Sequence, residues 1–182
     1  MEIAPHPHLL EALFAFRSKV STVFRDVLGI HEINHIAISH IGPANKILTF
    51  SSTPAIEFNL FNSNLWRFDK SYTPEWFKTC TQTDWQSLYT PERYDELYYL
   101  KQLKHHLPIG YTLAARLEDN YFIYSFASNR SCKQTQELFA YRYHDFYKIG
   151  QYCTNMLSSL FQHYGNLSSQ LSETQVEYET SN

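Results

Sequence analysis

Two β-hairpin patterns separated by a long aromatic stretch set the main limit on how this chain can fold. His35-Ile36-Ala37-Ile38-Ser39 is a β-branched run, Gly42-Pro43-Ala44-Asn45 is a turn, and Ile47-Leu48-Thr49-Phe50 returns as a second strand. Tyr111–Leu117 and Tyr121–Ala127 form the second pair around Glu118-Asp119-Asn120. Isolated hairpins are marginal in water, so these strands need one shared sheet and a cover on its apolar faces.

Helical patterns supply that cover. Pro5 and Pro7 precede a helix of about twenty residues, with Leu9, Leu13, Phe16, Val20 and Val27 inward and Glu11, Arg17, Lys19 and Arg25 outward; Gly29 ends it. Thr53-Pro54 opens a helix to about Phe61. Residues 62–90 read as irregular with short helical turns. Thr90-Pro91-Glu92 starts a helix reaching about Leu107, with Tyr94, Leu97, Leu100, Leu103 and Leu107 inward, and Pro108 stops it.

The last helix spans about Lys133 to Tyr164. Its apolar seam of Phe139, Tyr143, Phe146, Gly150, Cys153, Leu157, Leu160 and Tyr164 alternates steps of four and three. A straight helix drifts by about 20° per heptad from such a seam. One reading is a single long helix lying across the sheet; the sharper reading adds a contact with a second copy along the part after Gly150, with the part before it packed inward. Residues 166–182, rich in Ser, Thr, Gln and Glu, read as a tail or linker after one domain over 1–165.

Composition excludes several function classes. The net charge is -3 with no basic run, which disfavours direct nucleic-acid binding. No apolar run approaches the roughly 20 residues of a membrane span, and the N-terminus lacks a signal-peptide pattern. Cys80, Cys132 and Cys153 are odd in number and lack CxxC spacing, so free thiols in a cytoplasmic setting are expected. Five glycines leave no phosphate loop, and no nucleophile elbow or Cys-His pattern points to an enzyme. No cofactor is expected. His31-Glu32-Ile33-Asn34-His35 matches a zinc-protease pattern that works only on a helix. Here it runs from a glycine into a strand, so it is expected to hold no metal.

Aromatics make up 16% of the chain, and the densest group lies where regular structure is scarce: Phe58, Phe61, Trp66, Phe68, Tyr72, Trp76 and Trp85. Such a group either fills a core or lines an apolar pocket with a few polar groups. Asp69 sits among the rings and must be hydrogen-bonded. Three roles are open to it: holding a ligand N–H, capping a turn, or pairing with Arg67.

Leu28-Gly29-Ile30, Thr53-Pro54, Phe61, Asp69, Trp85, Gly110-Tyr111-Thr112 and Ser125-Phe126-Ala127-Ser128 stand in an order and spacing similar to the sensor domain of LuxR-type quorum-sensing regulators. The resemblance covers roughly residues 8–163. It implies an α+β fold of the PAS/GAF-like kind, an α-β-α sandwich with an antiparallel five-stranded sheet and helices on both faces. The first and last helices would share one face, and a small-molecule pocket would lie between the other face and residues 54–107. It also implies that Asp69 takes a ligand amide N–H, Trp85 a ring carbonyl, and Ser125 a place near the amide carbonyl. Glu57 stands where the family has a lactone-contacting Trp, Phe61 lacks a Tyr hydroxyl, and Lys70 replaces a Pro. The expected ligand site thus comprises Glu57, Phe58, Phe61, Trp66, Asp69, Tyr72, Trp85 and Ser125, for a ligand other than a standard acyl-homoserine lactone. The alternative is a ligand-free interaction and dimerisation module. DNA contact is expected only through a helix-turn-helix domain, which is expected to be absent from these residues.

Overall fold

The computed structural model describes residues 2–166. Its elements in chain order are β1 (Ala4–Pro5), α1 (Leu9–Ala12), α2 (Arg17–Arg25), β2 (His35–Ile41), β3 (Lys46–Ser51), α3 (Pro54–Asn62), α4 (Pro74–Phe77), β4 (Gln82–Asp84), α5 (Trp85–Leu88), α6 (Tyr94–Tyr98), β5 (Ile109–Leu117), β6 (Asn120–Ser128), α7 (Lys133–Tyr141) and α8 (Tyr143–Met156). A further helical segment covers 158–166. The expected tail lies, apart from Asn166, outside the described residues.

The sheet has six strands in the order β1-β3-β2-β6-β5-β4, not five. All neighbours are antiparallel except β1, which runs parallel to β3. The two strands that the sequence pattern does not reveal are the edges. Ala4–Pro5 and Gln82–Asp84 are too short to show a period of two, and Pro5 suits only an edge. Both central hairpins form as expected, and Leu117 pairs with Asn120 across a two-residue turn in which Glu118 has φ 55°.

Strand alternation gives this sheet two unlike faces. Ile36, Ile38, Leu48, Phe50, Leu113, Phe122, Tyr124 and Phe126 belong to one core with Val20, Val23 and Phe24 of α2 and with the C-terminal helices. The opposite face carries His35, Ala37 and Ser39 of β2, Thr49 and Ser51 of β3, Thr112 and Ala114 of β5, and Ser125 and Ala127 of β6. These small or polar residues leave depth that the rings of residues 54–107 fill. The sandwich matches the expectation, with α2 and the C-terminal helices on one face and residues 54–107 on the other, except that α1 joins the second face.

Three helices depart from the expected pattern. The first is broken: Phe16 takes a left-handed φ of 53° and is exposed. Leu9 and Leu13 pack in the aromatic layer while Val20 and Phe24 pack on the sheet's other face, so the chain must turn between them. The helix expected over 90–107 is a 3-10 turn (Pro91–Arg93), then α6, then a π-helical turn (Tyr99–Leu103). A π turn inserts one residue and shifts the inward stripe. Leu103 is therefore exposed, and Leu100, Lys101 and Gln102 are buried in succession.

The last helix is interrupted at Arg142 and again at Leu157. Every seam residue that is buried lies in the domain's own core, with Phe139, Cys153 and Leu157 at 0% exposure. The interruptions correct the drift of a straight helix, so a seam of this period follows a twisted sheet without a coiled-coil partner. The expected sharing of the seam after Gly150 with a second copy is thereby corrected. Gly150 lies against Tyr124, where a Cβ would fall 2.4 Å from the ring.

Leu157→Ala should cost about 2–5 kcal/mol, the range for an aliphatic side chain removed from a closed core. Urea denaturation at two protein concentrations checks it. A dimer contact would make the loss depend on concentration, whereas a core position predicts the same loss at both.

Candidate functional site

The layer between the small face of the sheet and residues 54–107 holds most of the expected site residues, organised into three groups. In the first, a 3-10 turn (Leu65–Phe68) delivers Asp69 to full burial, and its backbone bridges to Tyr89. Asp69 Oδ1 accepts hydrogen bonds from the Ser71 amide at 3.0 Å and hydroxyl at 2.7 Å. Its Oδ2 accepts from Lys101 Nζ at 2.7 Å. Of the three roles open to Asp69, it caps a turn and it pairs with a cation. That cation is Lys101; Arg67 is exposed and lies 3.5 Å from Glu2.

The Lys101 ammonium also sits 4.3 Å from the Trp85 ring centroid and 5.4 Å from that of Tyr89. Trp85 is fixed in turn: its Nε1–H donates to Thr112 Oγ1 at 2.9 Å, and Thr112 lies 3.0 Å from Ser125 Oγ. Gly110 is required beneath the indole, because a Cβ there would fall 2.1 Å from Trp85 Cδ2. Tyr89 donates to Gln102 Oε1 at 2.9 Å, and Gln102 donates to the carbonyls of Leu107 and Pro108. Burial, reinforced by the Asp69 carboxylate, holds the Tyr89 phenol well above its ordinary pKa.

The second group is a set of rings. Phe61 stacks on Trp66 at 6.0 Å, and Tyr72 meets both edge-on at 5.4 and 6.3 Å. Burial first, then Asp69, raise the Tyr72 phenol, so it is neutral at any physiological pH. Phe58 turns outward along α3 to meet Phe14 at 5.5 Å and does not join the set.

The third group is polar and incompletely satisfied. His35 Nε2 lies 3.3 Å from Glu57 Oε1, with both side chains buried. Neither His35 nitrogen nor Glu57 Oε2 has a hydrogen-bond partner, and the same holds for Trp66 Nε1 and His105 Nε2. His105 faces the same group: burial lowers its pKa, as do Lys104 and His35, while Glu57 opposes them. His35 also meets the edge of Trp85 at 6.0 Å.

A cavity of about 290 Å³ is lined by Trp66, Asp69 and Tyr72 with Ile3, Arg67 and Thr73 among others. A second, of about 210 Å³, lies beside Trp85, Gln102 and Gly110. Neither brings Phe61, Trp85 and Ser125 together. The structure links Asp69 to Trp85 through Lys101, and Trp85 to Ser125 through Thr112. Lys101, Gln102, Tyr89, Ser71, Thr112 and His35 were not expected at this site. Thr112 was within reach of sequence reasoning, since it stands opposite Ser125 on the same face of paired strands.

The zinc-protease pattern is dispersed. His31 and Glu32 have φ of 50° and 62°, and His31 pairs with Asp145 at 3.1 Å. Glu32 pairs with Arg130, and His35 turns inward to Glu57. Among the described residues no group of three His, Cys, Asp or Glu side chains is placed to hold a metal ion, and no helix is long and apolar enough to cross a membrane.

No family model and no curated protein matches the sequence. Solved structures do match the fold. Escherichia coli SdiA aligns with a TM-score of 0.52 at 16% identity, over 78% of this chain and 61% of SdiA. SdiA in complex with octanoyl-rac-glycerol aligns with a TM-score of 0.50 at 14% identity, over 83% and 62%. The VqsR LBD domain from Pseudomonas aeruginosa gives 0.47 at 14% identity, over 81% and 93%. This chain spans about three fifths of the SdiA chains it matches. SdiA is a LuxR-type regulator, and the fold implied by the sequence resemblance is the fold observed.

The His35–Glu57 pair yields a coupling test. His35→Leu alone strips Glu57 of its neighbour and should cost about 1–3 kcal/mol. Adding Glu57→Met should return most of that loss, because apolar residues replacing both members of a buried pair are often neutral. Urea denaturation of both single variants and the double variant gives the coupling; strictly additive losses would show the two side chains to be independent.

Proposed function

We propose that this chain is a small-molecule sensor domain of a LuxR-type transcriptional regulator, acting in the cytoplasm, with a ligand other than a standard acyl-homoserine lactone. The observation that carries this reading is the buried polar atoms without a hydrogen-bond partner around the His35–Glu57 pair: Glu57 Oε2, His35 Nδ1 and His105 Nε2. Leaving such an atom unpaired costs about 1–3 kcal/mol, and a bound molecule that pairs several of them regains that cost. The shared fold supports the same reading, as does a fold neighbour, SdiA, whose complex holds octanoyl-rac-glycerol. An acyl chain with a hydroxylated, uncharged head suits apolar rings beside donors and acceptors.

A lactone suits them less well. Glu57 offers an acceptor where a donor is needed, Phe61 has no hydroxyl, and Asp69 already holds Lys101. Signalling would follow a population shift: a ligand that binds one state better changes the domain's contact with a second copy or with an attached DNA-binding module. A homodimer would not use the C-terminal seam, which is buried. Phe14, Phe16 and Tyr141 are rings that remain exposed. The ligand-free interaction module is the second reading, favoured by the ion pair that closes Asp69.

Thermal unfolding with an octanoyl homoserine lactone and with 1-octanoyl-rac-glycerol, together with native mass spectrometry of the purified chain, tests the proposal. A ligand at 100 times its Kd adds about 2.7 kcal/mol, or roughly 5–10 °C for a domain of this size. No such shift is expected with the lactone. A shift of that size with the lactone would overturn the ligand assignment. The sensor reading itself falls if the monoacylglycerol gives no shift and no small molecule accompanies the protein.

A further inference from the structure

Lys101 is the most unusual residue of the interior. Lysine is almost never fully buried unless paired, yet Lys101 is 5% exposed. Its surroundings have the composition of a receptor for an alkylammonium ion: one carboxylate oxygen at 2.7 Å and the faces of two aromatic rings. Each part of this receptor is held by something else. Ser71 fixes the far oxygen of Asp69, Thr112 and Gly110 fix the Trp85 plane, and Gln102 fixes the Tyr89 hydroxyl. The ammonium reaches it because the π turn carries Lys101 inward, and single π turns cluster at functional positions. Core filling alone does not call for a lysine here, since a buried ion pair is often no more stable than apolar residues of similar volume.

We propose that Lys101 is a tethered ligand: its ammonium occupies an alkylammonium site formed by Asp69, Trp85 and Tyr89, and so completes the domain without a soluble ligand. The site stands on this geometry. Its regulatory meaning, that the domain folds in the empty state and offers no carboxylate to a ligand N–H, rests on the sensor reading.

The test uses the full chain with Lys101→Ala and the probe n-propylammonium chloride, against sodium chloride at equal ionic strength and n-propanol. Removing one member of a buried pair should lower Tm by roughly 6–20 °C. Propylammonium should restore much of that loss in a saturable manner, with no effect of the two controls and none on the wild type. Should the variant fail to accumulate as folded protein, it is refolded from urea with and without the amine, and recovery is expected only with it. A variant as stable as the wild type would overturn the proposal. So would a destabilised variant that propylammonium does not rescue, a stabilisation shared by the controls or the wild type, or refolding that does not depend on the amine. The monoacylglycerol experiment on the wild type bears on the sensor reading alone, so the two can fail separately.

Discussion

The inequality of the sheet's two faces determines most of what surrounds it. On one face Ile36, Ile38, Phe50, Phe122, Tyr124 and Phe126 stand tall and need only a helix surface laid across them. On the other, Ala37, Ser39, Thr112, Ala114, Ser125 and Ala127 are short and stand among the larger His35, Ile41, Ile47 and Ile123. Helices α1 and α3 pack beside β3, but a helix laid over the short part of this face would leave voids, and voids forfeit dispersion contacts. Indoles and phenols reach down to it. That is why the region packed against it is broken into 3-10, π and short α turns, which aim Trp66, Tyr72, Trp85 and Tyr89 downward from many directions. Irregular backbone here follows from the shallow face it has to fill.

The same inequality explains where polar groups collect. Short strand residues such as Ser39, Thr49, Thr112 and Ser125 bring hydroxyls, and these pair with one another at 2.7 and 3.0 Å. Thr112 is left with capacity to accept from Trp85, which fixes the indole. The indole then provides a face for a cation. A chain of modest interactions therefore runs from strand alternation to the placement of Lys101, and removing any one link loosens the next.

The parts of this design governed by local rules were legible in the sequence. Period-two runs located β2, β3, β5 and β6, and the four-three seam from Phe139 to Tyr164 named the inward residues of the C-terminal helices. What the seam pointed toward was not legible. Its period is the same for a partner helix and for a twisted sheet, and the breaks at Arg142 and Leu157 carry no proline or glycine to announce them. Lys101 was hidden for a related reason. An uninterrupted helix places Leu103 inside and Lys101 outside; one inserted residue reverses both, and no composition signal marks a π turn. Asp69 was correctly singled out as a carboxylate needing partners, but its cation comes from 32 residues away rather than from the neighbouring Arg67. Local reasoning detects an obligation to pair; only the tertiary fold selects the partner.

The aromatic layer ends up with two polar groups of opposite character. Around Asp69, the carboxylate accepts three hydrogen bonds and the ammonium has a carboxylate and two ring faces, so little is left for an incoming molecule to gain. Around His35 and Glu57, several buried atoms have no partner, so a molecule placed there recovers desolvation already incurred in folding. Under the proposed sensor reading, binding free energy would come from that difference rather than from ring area, which is buried with or without a ligand. A sensor built this way would read its ligand at the His35–Glu57 end, and a functional group matched only to a lone carboxylate would find Asp69 already taken.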